Sequence, residues 1–527
     1  MADGLRSPRS LSRRRFLSLT AAATAATAST VPGRRSSAQG QTPRPGGTLI
    51  SAKTTEAPSL EPILDQALSR IRLDPIFYNR VVEWGTDGKL VPALAESWTT
   101  SADGKTWTFK LRKGVKFHNG RPLTAADVKF SLDRILDPKT AARGKGSLGI
   151  IESVQVVDPQ TVRVHLTRAS GAFLSRIAGT YQAILPPEAV QGPAFKPIGT
   201  GPFQLTEWKT NERVELKRFD QYWEAGLPYL DALTLKPVPD GTVRLTALKT
   251  GDAGFVQLIP LESLAELQAA PSKDYVVRTV KGGGGFSAII LNSRKPPFNE
   301  VRVRRAVALA TDKKEVGLGV WRGFAQPVNQ WMPPGTPWFF NVPDRKVDVE
   351  QAKKLLAEAG IAKGTKLTHT VGQVANLVPA AQVFQAQLTR IGIDLQLEVL
   401  DWPAYIKRQR AMDFTSTNTN FFPKVDPDDA YYRYFHSKGG ANELSGGYAN
   451  PAADKLLEEG EATVDAGKRA EVYRRFVELL EDEVPVVTTG LGDAAVGWRT
   501  PVKGFEPHII GLLAYPGGGL PNVWLDR

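Results

Sequence analysis

The 527-residue chain contains no cysteine. That excludes disulfides and thiolate metal sites, and it leaves no residue to carry an amino-terminal lipid. Histidine is scarce. His118, His165, His369, His436 and His508 lack the three- or four-residue spacing of a preformed metal face, which disfavours coordination of a free metal ion. No stretch reaches the about 18 apolar residues of a membrane span, so the mature chain is expected to be soluble. Catalytic motifs are missing as well. A literal G-x-G-x-x-G at Gly144, Gly146 and Gly149 follows a predicted helix ending near Asp137-Pro138, where a dinucleotide site needs a strand, and it reads as a flexible loop. Gly104-Lys105-Thr106 mimics the tail of a phosphate loop, but Thr99 stands at the leading glycine position. Gly285-Phe286-Ser287-Ala288 approaches a nucleophile elbow, with Ile289 in place of the closing glycine. A secreted hydrolase would need a nucleophile with its base, a metal or a tuned carboxylate pair, and none of these is arranged by motif.

What is present begins with charge. The formal net charge is +13, and residues 1–38 hold seven arginines and one acid, contributing +6 and leaving +7 for the rest. Lysines and acids are interspersed along that remainder, with no basic stripe interleaved with aromatics, so nucleic-acid binding is not expected. Arg13-Arg14-Arg15-Phe16-Leu17, a mild Ala/Thr-rich run over 19–28 and the small pair Ser36/Ala38 have the order of a cleaved export signal over 1–38. The arginine pair specifies the twin-arginine route, and a disordered basic tail is the other reading. Residues 39–47 form a Pro/Gly linker. The about 490 residues of the mature chain are too many for one core and suggest two lobes or more.

Residues 93–135 carry the strongest local pattern. Trp107, Phe109 and Leu111 alternate with Thr106, Thr108 and Lys110, the period of a half-buried strand. Asp103-Gly104 ahead of it reads as a hairpin turn. Thr124 is placed to cap a helix whose Val128, Leu132 and Ile135 share one face. Further strands are expected at 48–50, 154–157, 162–166 and 288–291, and a long hairpin over 203–219 with Trp208 in the core. Helices are expected over 301–310, 349–359, 377–391 and 468–481. Four consecutive glycines, 282–285, give the backbone freedom or close approach.

The 93–135 segment resembles the signature of the extracytoplasmic solute-binding proteins of family 5, the peptide- and nickel-binding class that feeds ABC importers. Gly199-Thr200-Gly201-Pro202-Phe203 through Tyr222-Trp223, Pro296-Pro297-Phe298 with the following 301–306, and the 348–360 segment are similar to further blocks of that family, in its order. The resemblance implies an α/β, two-lobed periplasmic binding protein fold of the class II, cluster C type, with a subdomain inserted in the first lobe. It implies a first lobe over 48–285 (insertion about 80–195), a second over 286–487 and a return to the first over 488–527, crossing at 281–285 and 485–489.

Function and site follow from the same resemblance. The chain is expected to capture short peptides or peptide-like solutes by lobe closure and to deliver them to a permease with a cytoplasmic ATPase. It would do so as a monomeric periplasmic protein with no cofactor, no metal and no catalytic residue. The alternatives are a secreted hydrolase, a binder of an opine, sugar or metal chelate, and a sensor or chaperone on the same fold. Glu56 and Pro58 fall in the loop at the mouth of the cleft, Gly285 and Phe286 at the crossing. Trp402, Phe421, Phe422, Lys424 and Asp426 fall on the cleft side of the second lobe. Several peptide-binding relatives place an acid just before the D-P pair, against the ligand's α-amino group. Here Pro423 and Lys424 stand in that place, which favours an anionic group at that end of the ligand. Asp426 or Asp428 either substitutes for that acid or, in the case of Asp426, caps the following helical segment. His436 lies beside this region, and a surface or core role suits it better than ligand contact.

Overall fold

A computed structural model of the protein describes residues 42–64, 68–85, 87–192, 194–374, 376–508, 514–515 and 518–526. The expected export signal and the start of the linker lie outside the described residues. Trp107, Phe109 and Leu111 are buried on one side of the strand Thr106–Leu111, as their alternation requires. That strand pairs antiparallel with Ala95–Thr100 through a turn closed by the Gly104 N–H on the Ser101 carbonyl. Thr161–Leu166 and Ile151–Asp158 complete a four-stranded sheet. The helix Ala125–Leu136 lays Val128, Leu132 and Ile135 into the same core. Its first turn is fixed by Asp127, whose carboxylate accepts from the Thr124 N–H and hydroxyl and pairs with Arg121. The glycines at 144, 146 and 149 flank and enter a one-turn helix, Lys145–Leu148, rather than an open loop. It follows a helix and not a strand, which leaves it unlike a dinucleotide site.

The frame of the molecule is a mixed eleven-stranded sheet. One half runs Ile393–Leu400, Thr365–Gly372, Ser416–Phe421; the other runs Phe255–Val256, Thr48–Lys53, Ala232–Pro237, Arg213–Arg218, Phe203–Lys209. Between them lie Tyr275–Leu291 and Val486–Arg499, paired antiparallel with each other, and the short strand Ala325–Gln326 joins the second of these as the eleventh. The first also pairs with Ser416–Phe421 and the second with Phe255–Val256, so these two strands belong to both halves. Each half is covered on both faces. Ala288 and Ile290 enter one cluster and Ile289 and Leu291 another, which is why this stretch reads as a continuous apolar run. Leu49 and Ala52 divide the other half in the same way. The helices Val301–Ala310, Val349–Glu358, Leu377–Arg390 and Ala466–Glu483 stand where apolar spacing predicts them.

The four glycines do not open a loop. They lie inside the 17-residue strand, where the pairing register shifts between Val280 and Gly285. Such a bulge leaves backbone groups without ladder partners. Asp493, on the facing strand, accepts from the Gly282 N–H at 3.0 Å and pairs with Lys281 at 2.6 Å. Gly285 has φ +96°, and a β-carbon there would stand 2.7 Å from the Phe421 carbonyl oxygen. The second passage between the halves also has no loop: 485–489 leads into Val486–Arg499, which changes its neighbours while remaining one strand.

Gly285→Ala should therefore cost about 2–4 kcal/mol, combining a left-handed backbone with a clash against main chain. Gly360→Ala, at φ +75° with nothing within 4 Å of the added carbon, should cost about 1–2 kcal/mol. Urea midpoints of the two variants check the difference. Equal losses would show that the bulge does not need its close approach.

Candidate functional site

The bulge ends at the residues that carry the site. Phe286 pairs with Phe421 across the two strands, and both are core residues. Trp331 stacks on Phe421 with ring centroids 4.0 Å apart, and Tyr434 meets it edge-on at 5.3 Å. Phe422, the first residue beyond the strand Ser416–Phe421, is 52% exposed. Gly285 lies against the main chain at Phe421 and Phe422. The predicted aromatic wall thus divides into a buried pair and a single exposed ring. Trp402 is 46% exposed at the start of the helix Trp402–Arg410, whose N-terminus is capped by the Asp401 carboxylate on the Ala404 N–H. It is stacked on Tyr405, which is buried and donates its hydroxyl to the Asn418 carbonyl at 2.7 Å. An exposed indole on a fixed base makes a contact platform.

Charge is arranged otherwise than the sequence suggests. Lys424 is not a lone cation: Asp429 pairs with it at 3.0 Å and raises its pKa. Asp426 is fully buried. It takes two hydrogen bonds of 2.7 Å from the Arg469 guanidinium, one of 2.5 Å from the Ser175 hydroxyl and one from the Asp428 N–H. Burial alone would raise its pKa, but Arg469 holds it below the usual carboxylate range. Asp426 does not occupy the cap of the following helical segment, Asp428–Tyr432, where Pro427 stands with no side-chain cap bond; its bond from the Asp428 N–H closes the turn ahead of it. Asp428 accepts from Arg176, whose guanidinium also reaches Glu461 at 2.6 Å, and Glu461 accepts from Arg168 at 2.7 Å. Burial pushes the Asp428 carboxyl up to about 6 despite Arg176.

Ser175 and Arg176 lie on the short helix Phe173–Ile177, packed in the core of the four-stranded sheet. Asp426, Asp428, Glu461 and Arg469 stand on the half of the large sheet that contains Ser416–Phe421. With Arg168, which follows the strand Thr161–Leu166, seven side chains therefore tie the small sheet to that half. Arg168, Ser175, Arg176, Glu461 and Arg469 went unsingled in the sequence because their partners lie 43 to 293 residues away. One signal was available: Arg469 occupies the apolar face of its helix with Val472, Tyr473 and Phe476.

Glu56 and Pro58 stand on the other half. The Glu56 carboxylate accepts from the Trp208 indole N–H and the Asn211 N–H at 2.5 Å each, so Trp208 is half-buried and anchored rather than enclosed in the core. Pro58 is exposed beside it. His436 is buried, lies flat on Tyr432 at 4.4 Å and faces Glu458 at 3.2 Å. His369 is enclosed between the Ser416 hydroxyl and the Asn418 side-chain oxygen. Among the described residues no group of histidines and acids is placed to hold a metal ion, and no helix is long and apolar enough to cross a membrane.

Residues 89–443 match the bacterial extracellular solute-binding proteins, family 5. The chain belongs to this family. It is 30% identical over 479 residues to the dipeptide-binding protein of Escherichia coli (strain K12), covering 82% of this chain and 87% of that one. A crystal structure of a binding protein from A. tumefaciens R10 in complex with agropinic acid superposes with a TM-score of 0.76 at 28% identity, over 91% of this chain and 99% of that one. The DppA binding protein from Helicobacter pylori in complex with the peptide STSA gives 0.77 at 27% identity, over 92% and 99%. The chain is an extracytoplasmic solute-binding component of an ABC importer, with the mixed α/β fold of that class; the hydrolase alternative is not favoured.

In this solute-binding protein the ion cluster bridges the four-stranded sheet and that half of the large sheet. Removing one partner of a buried pair strands the others, at a cost of about 3–5 kcal/mol. Arg176→Met should therefore weaken the bridge, seen as a larger radius of gyration in X-ray scattering of the ligand-free protein. An unchanged radius would assign the cluster to local stability alone.

Acid should destabilise the protein partly through His369. Burial lowers its pKa from 6.5 to about 4, so between those values the unfolded chain binds a proton that the folded chain refuses. Stability is then lost as pH falls through this window, by about 3 kcal/mol for this group. His369→Gln should lose less stability than the parent between pH 7 and pH 4.5 in urea titrations. Parallel losses would mean that His369 takes up its proton while folded.

Proposed function

We propose that this protein captures a short peptide or peptide-like solute in the periplasm by closing the two halves of its sheet about the paired strands Tyr275–Leu291 and Val486–Arg499. It then presents the solute to a permease driven by a cytoplasmic ATPase. The observation that carries this reading is the glycine bulge. Both connections between the halves pass through one strand pair, and that pair is irregular where the halves meet. A small φ/ψ change there moves one covered half against the other as a body. Exposed Trp402 and Phe422, with Pro58 and the Glu56 loop opposite, supply the walls; Phe286, Phe421 and Gly285 support them from behind. Asp426 and Lys424 shape this region through Arg469 and Asp429, and the ligand meets their surroundings. The Arg13-Arg14 signal routes the folded chain through twin-arginine export, and without cysteine it remains untethered and monomeric.

Peptides lead because relatives of similar identity are named dipeptide-, di/tripeptide- and glutathione-binding proteins. The agropinic acid complex supports a second reading, a small non-peptide solute on the same scaffold. Ligand held by the closed form stabilises it by about 2.7 kcal/mol at a hundredfold excess over Kd. Screening the mature protein against di- to pentapeptides, agropinic acid and heme should give a melting shift for one class, with the compound recovered unchanged. Trp402→Ala should weaken that binding by about tenfold or more, the loss of one aromatic contact, and leave the ligand-free melting point in place. A shift with agropinic acid alone selects the second reading, and turnover of any hit overturns transport.

A further inference from the structure

The strand Thr48–Lys53 lies between the parallel strands Ala232–Pro237 and Phe255–Val256, and its last residue is Lys53. Ligands of open α/β sheets collect outside the carboxyl ends of parallel strands. Lys53 is 2% exposed, and its ammonium has no hydrogen-bond partner. Two residues earlier, on the same side of the strand, the Ser51 hydroxyl is buried and equally unpartnered. Among the described residues the other cations buried to this degree are Arg80, Arg244, Arg304 and Arg469. Each of them donates to carbonyl or carboxylate oxygens. Lys53 is the exception.

An ammonium with all three donors unmet in the interior is costly, and a sequence retains one where something supplies the missing oxygens. Glu56 is the charge that acts on Lys53, but its carboxylate is held by Trp208 and Asn211. Burial outweighs Glu56 and lowers the lysine to about 8, so it is still largely protonated at neutral pH. Lys424, the cation that the sequence offered for an anionic ligand, already has Asp429.

We infer that Lys53, with the Ser51 hydroxyl beside it, receives a carboxylate of the transported solute other than a peptide's terminal one, beneath the 54–60 loop. The inference rests on the proposed peptide capture and narrows it to acidic ligands.

Two measurements test it. The first is the melting point of ligand-free Lys53→Met, which keeps the volume and removes the unmet charge. It should rise by several degrees, since the empty site is a burden on the fold; a fall would show that Lys53 is a structural residue and overturn the inference. The second is calorimetric titration of both proteins with Ala-Glu, Ala-Gln, glutarate and glutaramide. Ala-Glu should bind the parent about tenfold more tightly than Ala-Gln, and the ratio should approach one in Lys53→Met. If the two dipeptides bind alike in both proteins, peptide capture stands and the Lys53 assignment falls. If glutarate binds through Lys53 while neither dipeptide binds, the anion site stands and peptide capture falls. Failure of every carboxylate probe to bind the parent overturns the assignment.

Discussion

The antiparallel pairing of Tyr275–Leu291 with Val486–Arg499 is the constraint on which the rest of the structure depends. A hydrogen-bonded ladder normally welds its neighbours into one stiff sheet. Here the ladder is interrupted at the point where the two halves meet, by a register shift between Val280 and Gly285. The interruption is managed locally: Asp493 supplies the acceptor that the Gly282 N–H would otherwise lack, and Lys281 balances its charge. Each half is covered by side chains on both faces, and close-packed interiors deform little.

A second constraint acts at a distance from the first. Arg176 and Arg469 with Asp426, Asp428 and Glu461 are buried, and the exposed Arg168 reaches Glu461 from the surface, so that three charges of each sign compensate one another. Such pairs add little net stability relative to apolar packing, but they tolerate few alternative arrangements. Their geometry fixes how the helix Phe173–Ile177 seats against the far half. The D-P-D segment serves this seating first.

The ligand side of the protein is defined by what the structure leaves uncompensated. Lys424 has Asp429, Glu56 has Trp208 and Asn211, and the exposed rings of Trp402 and Phe422 have solvent. Lys53 and Ser51 have no acceptor or donor at all. Relatives with the same architecture are named for dipeptides, glutathione and heme, so the scaffold does not choose the solute.

The sequence by itself determined the elements and the family. Trp107, Phe109 and Leu111 alternate because one face of their strand is buried. Val128, Leu132 and Ile135 recur at helical spacing for the same reason, and both are visible within ten residues. It also marked 282–285 as a special backbone, since only glycine combines positive φ with close approach. What those glycines do was not legible: a bulge exists only relative to a partner strand some two hundred residues away. The same holds at the site. The sequence set Phe421 and Phe422 together as a ligand wall, and tertiary pairing with Phe286 sent one ring inward and left the other outside. Lys424 read as a free cation because its pairing with Asp429 depends on how the intervening turn folds. Lys53, beyond the strand expected at 48–50, carried no signal in the sequence. Its burial, and the lack of a hydrogen-bond partner for its ammonium, are properties of the assembled core, where polar groups are satisfied by whatever long-range packing brings within 3 Å.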